Sequence, residues 1–137
     1  MKFPWLRNRR GVLWPEIPVG FKRNGRILPF NTTVLVDTGA DSTVLDLLYA
    51  ASFGLKVSEL EKERYTVVGG AVFLYSTKPH ELIEIQIGRS WLVLPTLKFT
   101  ENQEPNLLGR DAIFPRLEMR MAAAEVEFLH ATRKKKA

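Results

Sequence analysis

Short segments with strand patterns make up most of this chain, and long amphipathic helices are missing. Residues 82–87 end in an alternation of isoleucine with glutamate and glutamine, and this period of two is typical of a half-buried strand. Residues 32–36 (TTVLV) are rich in β-branched side chains, which favours a buried strand. Residues 91–99 predict a further strand, which Pro95 bends or breaks.

Turn residues join these strands into hairpins. The pattern predicts three hairpins: 17–22 with 26–30, 65–68 with 72–77, and 117–121 with 125–129. Asn24-Gly25 closes the first, and both residues tolerate the positive φ that a two-residue turn needs. Gly69-Gly70 gives the second a flexible tip. The third would close the domain near its C-terminus.

Helix signals are few and short. Asp46 can cap the segment LLYAASF, and Gly54 is a natural stop for it. Residues 110–114 follow Gly109 and end before Pro115. Many short strands separated by turns predict an all-β fold, a small closed β-barrel with one or two short helices.

Composition places the chain among ordinary globular domains and removes several kinds of chemistry. It has 137 residues, 45% hydrophobic and 26% charged, which suits one domain. No apolar run approaches the roughly 18 residues of a membrane span. There is no cysteine, so disulfides, thiolate zinc sites and a cysteine nucleophile are excluded. The two histidines, His80 and His130, exclude a histidine-rich metal site, and a Ser–His–Asp triad would have little choice of base. We expect no metal and no cofactor.

The net charge of +5 is concentrated at the two ends of the chain. We therefore divide the chain into a basic N-terminal arm (1–15), a central domain (16–130) and a basic C-terminal tail (131–137). Solvated ends that keep the protein soluble are the preferred interpretation, and contact of these ends with nucleic acid or a membrane is the alternative. Arginines interrupt the first 18 residues, so they lack the apolar core of a signal peptide and a cytoplasmic protein is expected.

The most informative chemistry follows the apolar residues 34–36. There Asp37 enters directly into a turn formed by Thr38 and Gly39. Gly39 lets the chain turn tightly, and Thr38 supplies a hydroxyl that can lock the loop. Taken alone, such an aspartate often does no more than cap a turn, so the neighbouring residues must decide.

Residues 35–45, LVDTGADSTVL, resemble the active-site segment of the retropepsin-like aspartic proteases, the single-domain family that includes the retroviral proteases. Two further segments resemble that family in the expected order. Residues 66–73 (TVVGGAVF) are similar to its glycine-tipped flap, and residues 106–111 (NLLGRD) to the element before its C-terminal helix. The resemblance covers roughly residues 17–130. It implies that 16–130 is an acid-protease-like β-barrel with a hairpin flap, half of a two-fold symmetric enzyme.

The resemblance also assigns roles to residues. Asp37 from each chain would activate a water molecule and protonate the scissile amide, Thr38 would hydrogen-bond across the axis, and Gly39 would offer its carbonyl to the substrate. The residues implied to bind substrate are Ala40, Asp41, Gly69, Gly70 and Ala71. The residues implied to support the site are Gly109, Arg110 and Asp111.

The resemblance further implies that two of these residues, Asp41 and Arg110, form a salt bridge that braces the active-site loop. Leaving either charge unpaired in a partly buried site would cost several kcal/mol. Ala40 stands where pepsin-like enzymes place serine or threonine, and alanine cannot donate a hydrogen bond to the aspartate. We therefore expect a pH optimum less acidic than that of pepsin.

One aspartate implies two chains. The chemistry needs two carboxylates around one water, and their mutual repulsion lets one act as base and the other as acid. Only Asp37 of the four aspartates lies in an Asp-Thr-Gly turn, so a C2 homodimer would supply the second copy. The expected function is an aspartic endopeptidase acting on peptides or proteins. The alternative is a catalytically silent dimerisation or peptide-binding module of the same fold.

The chain also departs from the minimal family pattern. It has an N-terminal extension through Pro15 and a longer region after Pro115. The retroviral members make their dimer contacts with both chain ends, so these are the regions where the dimer interface would differ.

Overall fold

Strands dominate residues 1–130, the part of the chain that the computed structural model describes. The predicted basic tail, residues 131–137, lies outside the described residues. The strands are β1 Lys2–Pro4, β2 Leu6–Arg7, β3 Leu13–Trp14, β4 Glu16–Arg23, β5 Arg26–Val36, β6 Val44–Asp46, β7 Glu61–Val67, β8 Gly70–Ser76, β9 Ile83–Ile87, β10 Ser90–Leu94, β11 Lys98–Thr100, β12 Leu107–Leu108, β13 Leu117–Met121 and β14 Glu125–His130. The helices are α1 Tyr49–Ser52 and α2 Arg110–Ile113, with one turn of 3₁₀ helix at Val57–Glu59. The predicted all-β fold with short helices is confirmed.

Nine strands form one sheet, which curls into a half-barrel. Their order is β10-β9-β4-β5-β12-β6-β11-β8-β7. Two neighbouring pairs, β12 with β5 and β11 with β6, are parallel, and the other pairs are antiparallel. The parallel pair β5–β12 matters most for function, because both strands run toward the same end of the sheet and deliver the loops that follow them to one place.

The hairpin β4–β5 forms around Asn24 and Gly25, whose φ angles are 50° and 81°, as predicted. The sequence predicts two separate strands after this turn, 26–30 and 32–36, but β5 is one continuous strand of 11 residues. The polar Asn31 stays in the ladder opposite Gly20. The pairing register shifts between Gly20 and Lys22 of β4, whose partners in β5 are Asn31 and Ile27. The irregularity therefore places two extra residues in β5, which continues as an extended chain to Val36.

A second sheet contains β1, β14 and β13 in that order. Phe3 of β1 contacts Phe128 of β14 edge to face, with ring centroids 5.9 Å apart. The first fifteen residues, predicted as an arm, thus contribute a strand that pairs with the far end of the described chain. β2 and β3 form a small hairpin between this strand and β4.

Aromatic side chains fill the core beneath the large sheet. Phe53, at the end of α1, packs against Phe21, Phe30 and Phe99 with ring centroids 5.0, 5.5 and 5.7 Å away. Three isoleucines of β9 are fully buried and alternate with half-buried polar residues, which confirms the alternation predicted there. Within residues 1–130, no helix is long and apolar enough to cross a membrane. The cytoplasmic location stays a prediction.

Candidate active site

The end of β5 delivers Asp37 to the surface of the sheet. The Asp37 N–H donates to the Leu108 carbonyl of β12 at 3.0 Å, and the Ala40 N–H donates back to the Asp37 carbonyl at 3.2 Å. The neighbouring strand therefore anchors the main chain of Asp37, and a tight turn follows immediately, as the Asp-Thr-Gly segment predicts.

The carboxylate of Asp37 is held from one side only. Its Oδ1 accepts the Gly39 N–H at 2.9 Å. Among residues 1–130, no donor contacts its other oxygen, Oδ2. Asp37 is partly exposed, and Thr38 and Gly39 are exposed. The arrangement fixes the direction of one acid group and leaves its open side toward solvent.

The first turn of α2 is joined to the loop that follows Asp37. Arg110 N–H donates to the Ala40 carbonyl at 2.9 Å, and Asp111 N–H donates to the Asp41 carbonyl at 3.3 Å. Two segments that the sequence predicts as active-site loop and supporting element thus meet through main-chain hydrogen bonds.

Thr43 is a buried residue of this junction that sequence reasoning missed. Its hydroxyl donates to Asp111 Oδ1 at 2.9 Å and accepts the Gly109 N–H at 3.1 Å. Its own N–H donates to the Asp111 carboxylate at 3.0 Å. The available signal was a threonine directly before the apolar Val44-Leu45, because a hydroxyl that is buried at the start of a strand needs a partner.

Gly109 has a steric role in the same junction. A methyl group added there would lie 2.4 to 2.8 Å from main-chain atoms of Ser42. Such distances are well below van der Waals contact, so only glycine allows the two loops to approach this closely.

The predicted ion pair between Arg110 and Asp41 is present. It is not partly buried, however: the two side chains are 48% and 83% exposed. Solvent screens charges at such sites, and exposed pairs contribute about 0–1 kcal/mol. The expected penalty of several kcal/mol for breaking the pair is therefore corrected, and the main-chain bonds with Thr43 hold the junction instead.

The predicted flap residues lie at the tip of another hairpin, β7–β8. Val67 pairs with Gly70 there, so the turn residues are Val68 and Gly69, one position earlier than predicted. Gly69 and Gly70 have φ angles of 93° and 146°, which only glycine adopts without strain. The tip is exposed, and Ala71 follows Gly70 on β8. The structure thus brings 37–41 and 109–111 together and places 69–71 on a separate hairpin of the same sheet.

In the described part of the chain, no cluster of three or more histidine, aspartate or glutamate side chains could hold a metal ion. His80 lies beside Glu81, with Nε2 3.5 Å from Oε1, and His130 hydrogen-bonds to Ser90 at 3.1 Å. Within residues 1–130, neither histidine hydrogen-bonds to Asp37, so the Asp37 carboxylate is the acid–base group that the site offers.

Comparison with known proteins agrees with this geometry. A family model described as aspartyl protease matches residues 19–112. The solved structure of a retropepsin-like aspartic protease from Rickettsia conorii has a similar fold, with a TM-score of 0.65 at 17% sequence identity. The match covers 94% of this chain and 98% of that one. No curated protein matches the sequence. The predicted retropepsin-like fold is confirmed.

Proposed function

The chain belongs to the aspartyl protease family, and we propose that it is an aspartic endopeptidase that acts as a homodimer. The observation that carries this proposal is the state of Asp37. Its main chain is tied to Leu108 and its Oδ1 to Gly39, while the residue stays partly exposed beside the exposed Thr38. One oriented carboxylate at an open surface would supply half of a two-carboxylate site.

Two such carboxylates on a two-fold axis would share a proton, because like charges in close contact resist joint ionisation. The ionised Asp37 would take a proton from the attacking water. The protonated Asp37 of the partner subunit would donate a proton to the leaving amide nitrogen. One residue type therefore supplies both base and acid.

The hairpin β7–β8 would close over the substrate. Its tip, from Val68 to Phe73, is apolar and exposed, and its glycines leave the main chain accessible. An extended peptide would bind by strand addition, with main-chain hydrogen bonds giving affinity and side-chain pockets giving preference. Closure would also exclude bulk water from the reaction.

The first test measures cleavage of an unstructured, hydrophobic-rich polypeptide by wild type and by the Asp37→Asn variant, with and without a statine inhibitor. We expect Asp37→Asn to lower the rate at least about 10²-fold. Asp46→Asn is the matched control, because its oxygen accepts the Leu48 N–H at 2.9 Å and asparagine can keep that bond. Equal cleavage by wild type and Asp37→Asn would reject the catalytic role.

The second test addresses the homodimer. Mixing wild type with Asp37→Asn lets subunits exchange, and a mixed dimer has one functional carboxylate. Activity should then fall with the square of the wild-type fraction. A linear fall would show that single subunits work independently. A wild-type protein that binds peptide but cleaves none would favour the silent binding module.

A further inference from the structure

Residues 6–14 form a short hairpin that is rich in arginine, and we name it the arginine hairpin. It consists of β2, a turn and β3, and the two strands pair antiparallel. Its sequence, LRNRRGVLW, has three arginines and no acidic residue. The hairpin belongs to the N-terminal extension through Pro15, to which the family resemblance assigns no role.

The base of the arginine hairpin is fixed beside the candidate active site. The carbonyl of Pro15, the next residue along the chain, accepts the Val36 N–H at 2.8 Å, and Val36 directly precedes Asp37. Trp14 Nε1 donates to Glu16 Oε2 at 2.8 Å, and the other oxygen of that carboxylate accepts a hydroxyl of β5 at 2.7 Å. The hairpin is therefore tied to the strand that delivers the carboxylate.

The tip of the arginine hairpin is held in one shape by hydrogen bonds. The Asn8 side chain accepts the Arg10 N–H at 2.9 Å and the Val12 N–H at 3.0 Å. In the main chain, Asn8 N–H donates to the Val12 carbonyl and Gly11 N–H donates to the Asn8 carbonyl, both at 2.9 Å. The turn thus presents two exposed arginines, Arg9 and Arg10, from a fixed main chain.

The same tip contacts a second segment of the site. Arg9 Nη2 lies 3.0 Å from Glu104 Oε1. Glu104 stands four residues before Leu108, whose carbonyl accepts the Asp37 N–H. Four residues span at most about 14 Å, so this ion pair keeps the arginine tip close to the carboxylate as well as to the base of the hairpin.

The three guanidinium groups differ in what already occupies them. Arg7 Nη1 donates to the Gly11 carbonyl at 2.8 Å and so folds back onto the turn. Arg9 and Glu104 are 87% and 64% exposed, and so exposed a pair adds little to stability. Among residues 1–130, no carboxylate forms an ion pair with Arg10. Arg10 is thus open to an external acid, and Arg9 can exchange Glu104 for one.

We infer that the arginine hairpin is a binding site for acidic side chains of the substrate, so that this protein prefers polypeptides with acidic residues flanking the cleaved bond. The inference rests on the proposed peptidase function. A guanidinium group can bind a carboxylate through two parallel hydrogen bonds. The fixed turn lowers the ordering cost of that contact.

The geometry also gives the distance of these acidic residues from the cleaved bond. Arg10 is five residues from Pro15, a span of at most about 18 Å, and the path through Glu104 gives about 14 Å. An extended peptide advances about 3.3 Å per residue. The favoured acidic residues are therefore the fourth and fifth from the cleaved bond. A homodimer has two arginine hairpins, so the preference applies on both sides of that bond.

A nucleic acid is a poorer match to this surface. Its affinity for a protein grows with the number of phosphates that are neutralised, and the hairpin offers two available guanidinium groups. Their place beside the candidate active site instead suits the flanks of a bound peptide.

The test compares three peptides with the same apolar centre and with Glu, Gln or Lys at the fourth and fifth residues on both sides of the cleaved bond. For the full-length wild type, we expect kcat/KM to be about fivefold higher for the Glu peptide than for the Lys peptide at low salt. The preference should shrink as salt screens the charges. Equal values for all three peptides would overturn the inference.

Charge variants show whether the hairpin causes this preference. Arg10→Glu should abolish it, and the double variant Arg9→Glu with Arg10→Glu should reverse it in favour of the Lys peptide. Glu104→Gln releases Arg9 and should enlarge the preference for Glu. The matched control is Arg26→Glu, because Arg26 is also exposed but begins β5 at the end opposite Asp37. Circular dichroism checks that each variant is folded.

A reversal of charge preference is a result that a merely structural role of the hairpin would not give. A preference that Arg10→Glu and the double variant leave unchanged, or that Arg26→Glu changes as much, would overturn the inference.

Binding separates this inference from the proposed function. Statine-containing versions of the three peptides, followed by fluorescence anisotropy, report affinity without cleavage. Cleavage that depends on Asp37 but is equal for the three peptides overturns the hairpin site and leaves the peptidase. Tighter binding of the Glu peptide that Arg10→Glu abolishes, without any cleavage, supports the hairpin site and overturns the peptidase. An Arg10-dependent affinity for a single-stranded oligonucleotide, with no preference among the peptides, overturns the inference in favour of a nucleic-acid contact.

Discussion

Glu81 joins three parts of the fold and is the best place to test the energetics of this structure. Its carboxylate accepts two bonds from the Arg23 guanidinium, both at 2.8 Å, and one from the Asn24 side chain at 3.0 Å. Arg23 also donates to the Phe53 carbonyl at 3.0 Å. Asn24 exchanges hydrogen bonds with Leu82. The network thus ties the β4–β5 turn to α1 and to the start of β9.

The Glu81 side chain is only 6% exposed, so solvent screens the pair weakly. The hydrogen bonds from Arg23 outweigh the opposing effect of burial and hold the pKa of Glu81 at about 2, against an ordinary value of 4.5. The same pair raises the pKa of Arg23. At 1.36 kcal/mol per pKa unit, the ionised Glu81 stabilises the folded state by about 3 kcal/mol.

The direction with pH follows from the lowered pKa in the folded state. The stabilisation is complete above about pH 4.5 and is lost progressively as the pH falls toward about 2. Glu81→Gln keeps the shape of the side chain and removes its charge. We expect this variant to lose about 3 kcal/mol at neutral pH and to differ little from wild type near pH 2.

Urea unfolding, followed by tryptophan fluorescence at one protein concentration between pH 7 and pH 2, measures this difference. The control is Glu101→Gln, which removes one carboxylate charge, as Glu81→Gln does, but from an exposed turn. It should change the free energy of unfolding by no more than about 0.5 kcal/mol. A constant gap between Glu81→Gln and wild type across the whole pH range would refute the electrostatic reasoning.

Two further predictions concern the active-site loop. Gly109→Ala would force the added methyl into the main chain of Ser42 and should lower the free energy of unfolding by about 3 kcal/mol. The comparison is Gly11→Ala, where the added methyl meets no atom and only the φ angle of 75° opposes alanine, at a cost of about 1 kcal/mol. An equal loss in both variants would contradict the steric argument. Ala40→Ser would add a hydroxyl that can donate to the Asp37 carboxylate and favour its ionised form. The acid limb of the kcat/KM profile should then move to lower pH, and an unmoved limb would discard the proposed role of Ala40.

Several elements could be predicted because neighbouring residues decide them. The Asn24-Gly25 turn, the alternation in β9 and the closing hairpin of β13 with β14 all appear where the local pattern places them. In each case the preference for a strand or a turn is set within a few residues. The Asp37 segment belongs to the same group, because its apolar strand and Thr-Gly turn are contiguous.

The support of the site could not be predicted in the same way. The hydroxyl of Thr43 meets Gly109 and Asp111 at sequence separations of 66 and 68 residues, and no local pattern encodes such a contact. The exposure of the Asp41–Arg110 pair was equally hidden, because burial depends on what the rest of the chain covers. The prediction was correct about the partners and wrong about their surroundings.

By itself, the sequence determined the hairpins, the all-β character and the acid group that the chemistry would use. Only the tertiary structure decided that β1 is a strand, since the Met1 amine hydrogen-bonds to Phe128 at a separation of 127 residues. The physical reason is that a strand's hydrogen bonds are made with another strand, so its partner and its free edge exist only once distant segments have packed together.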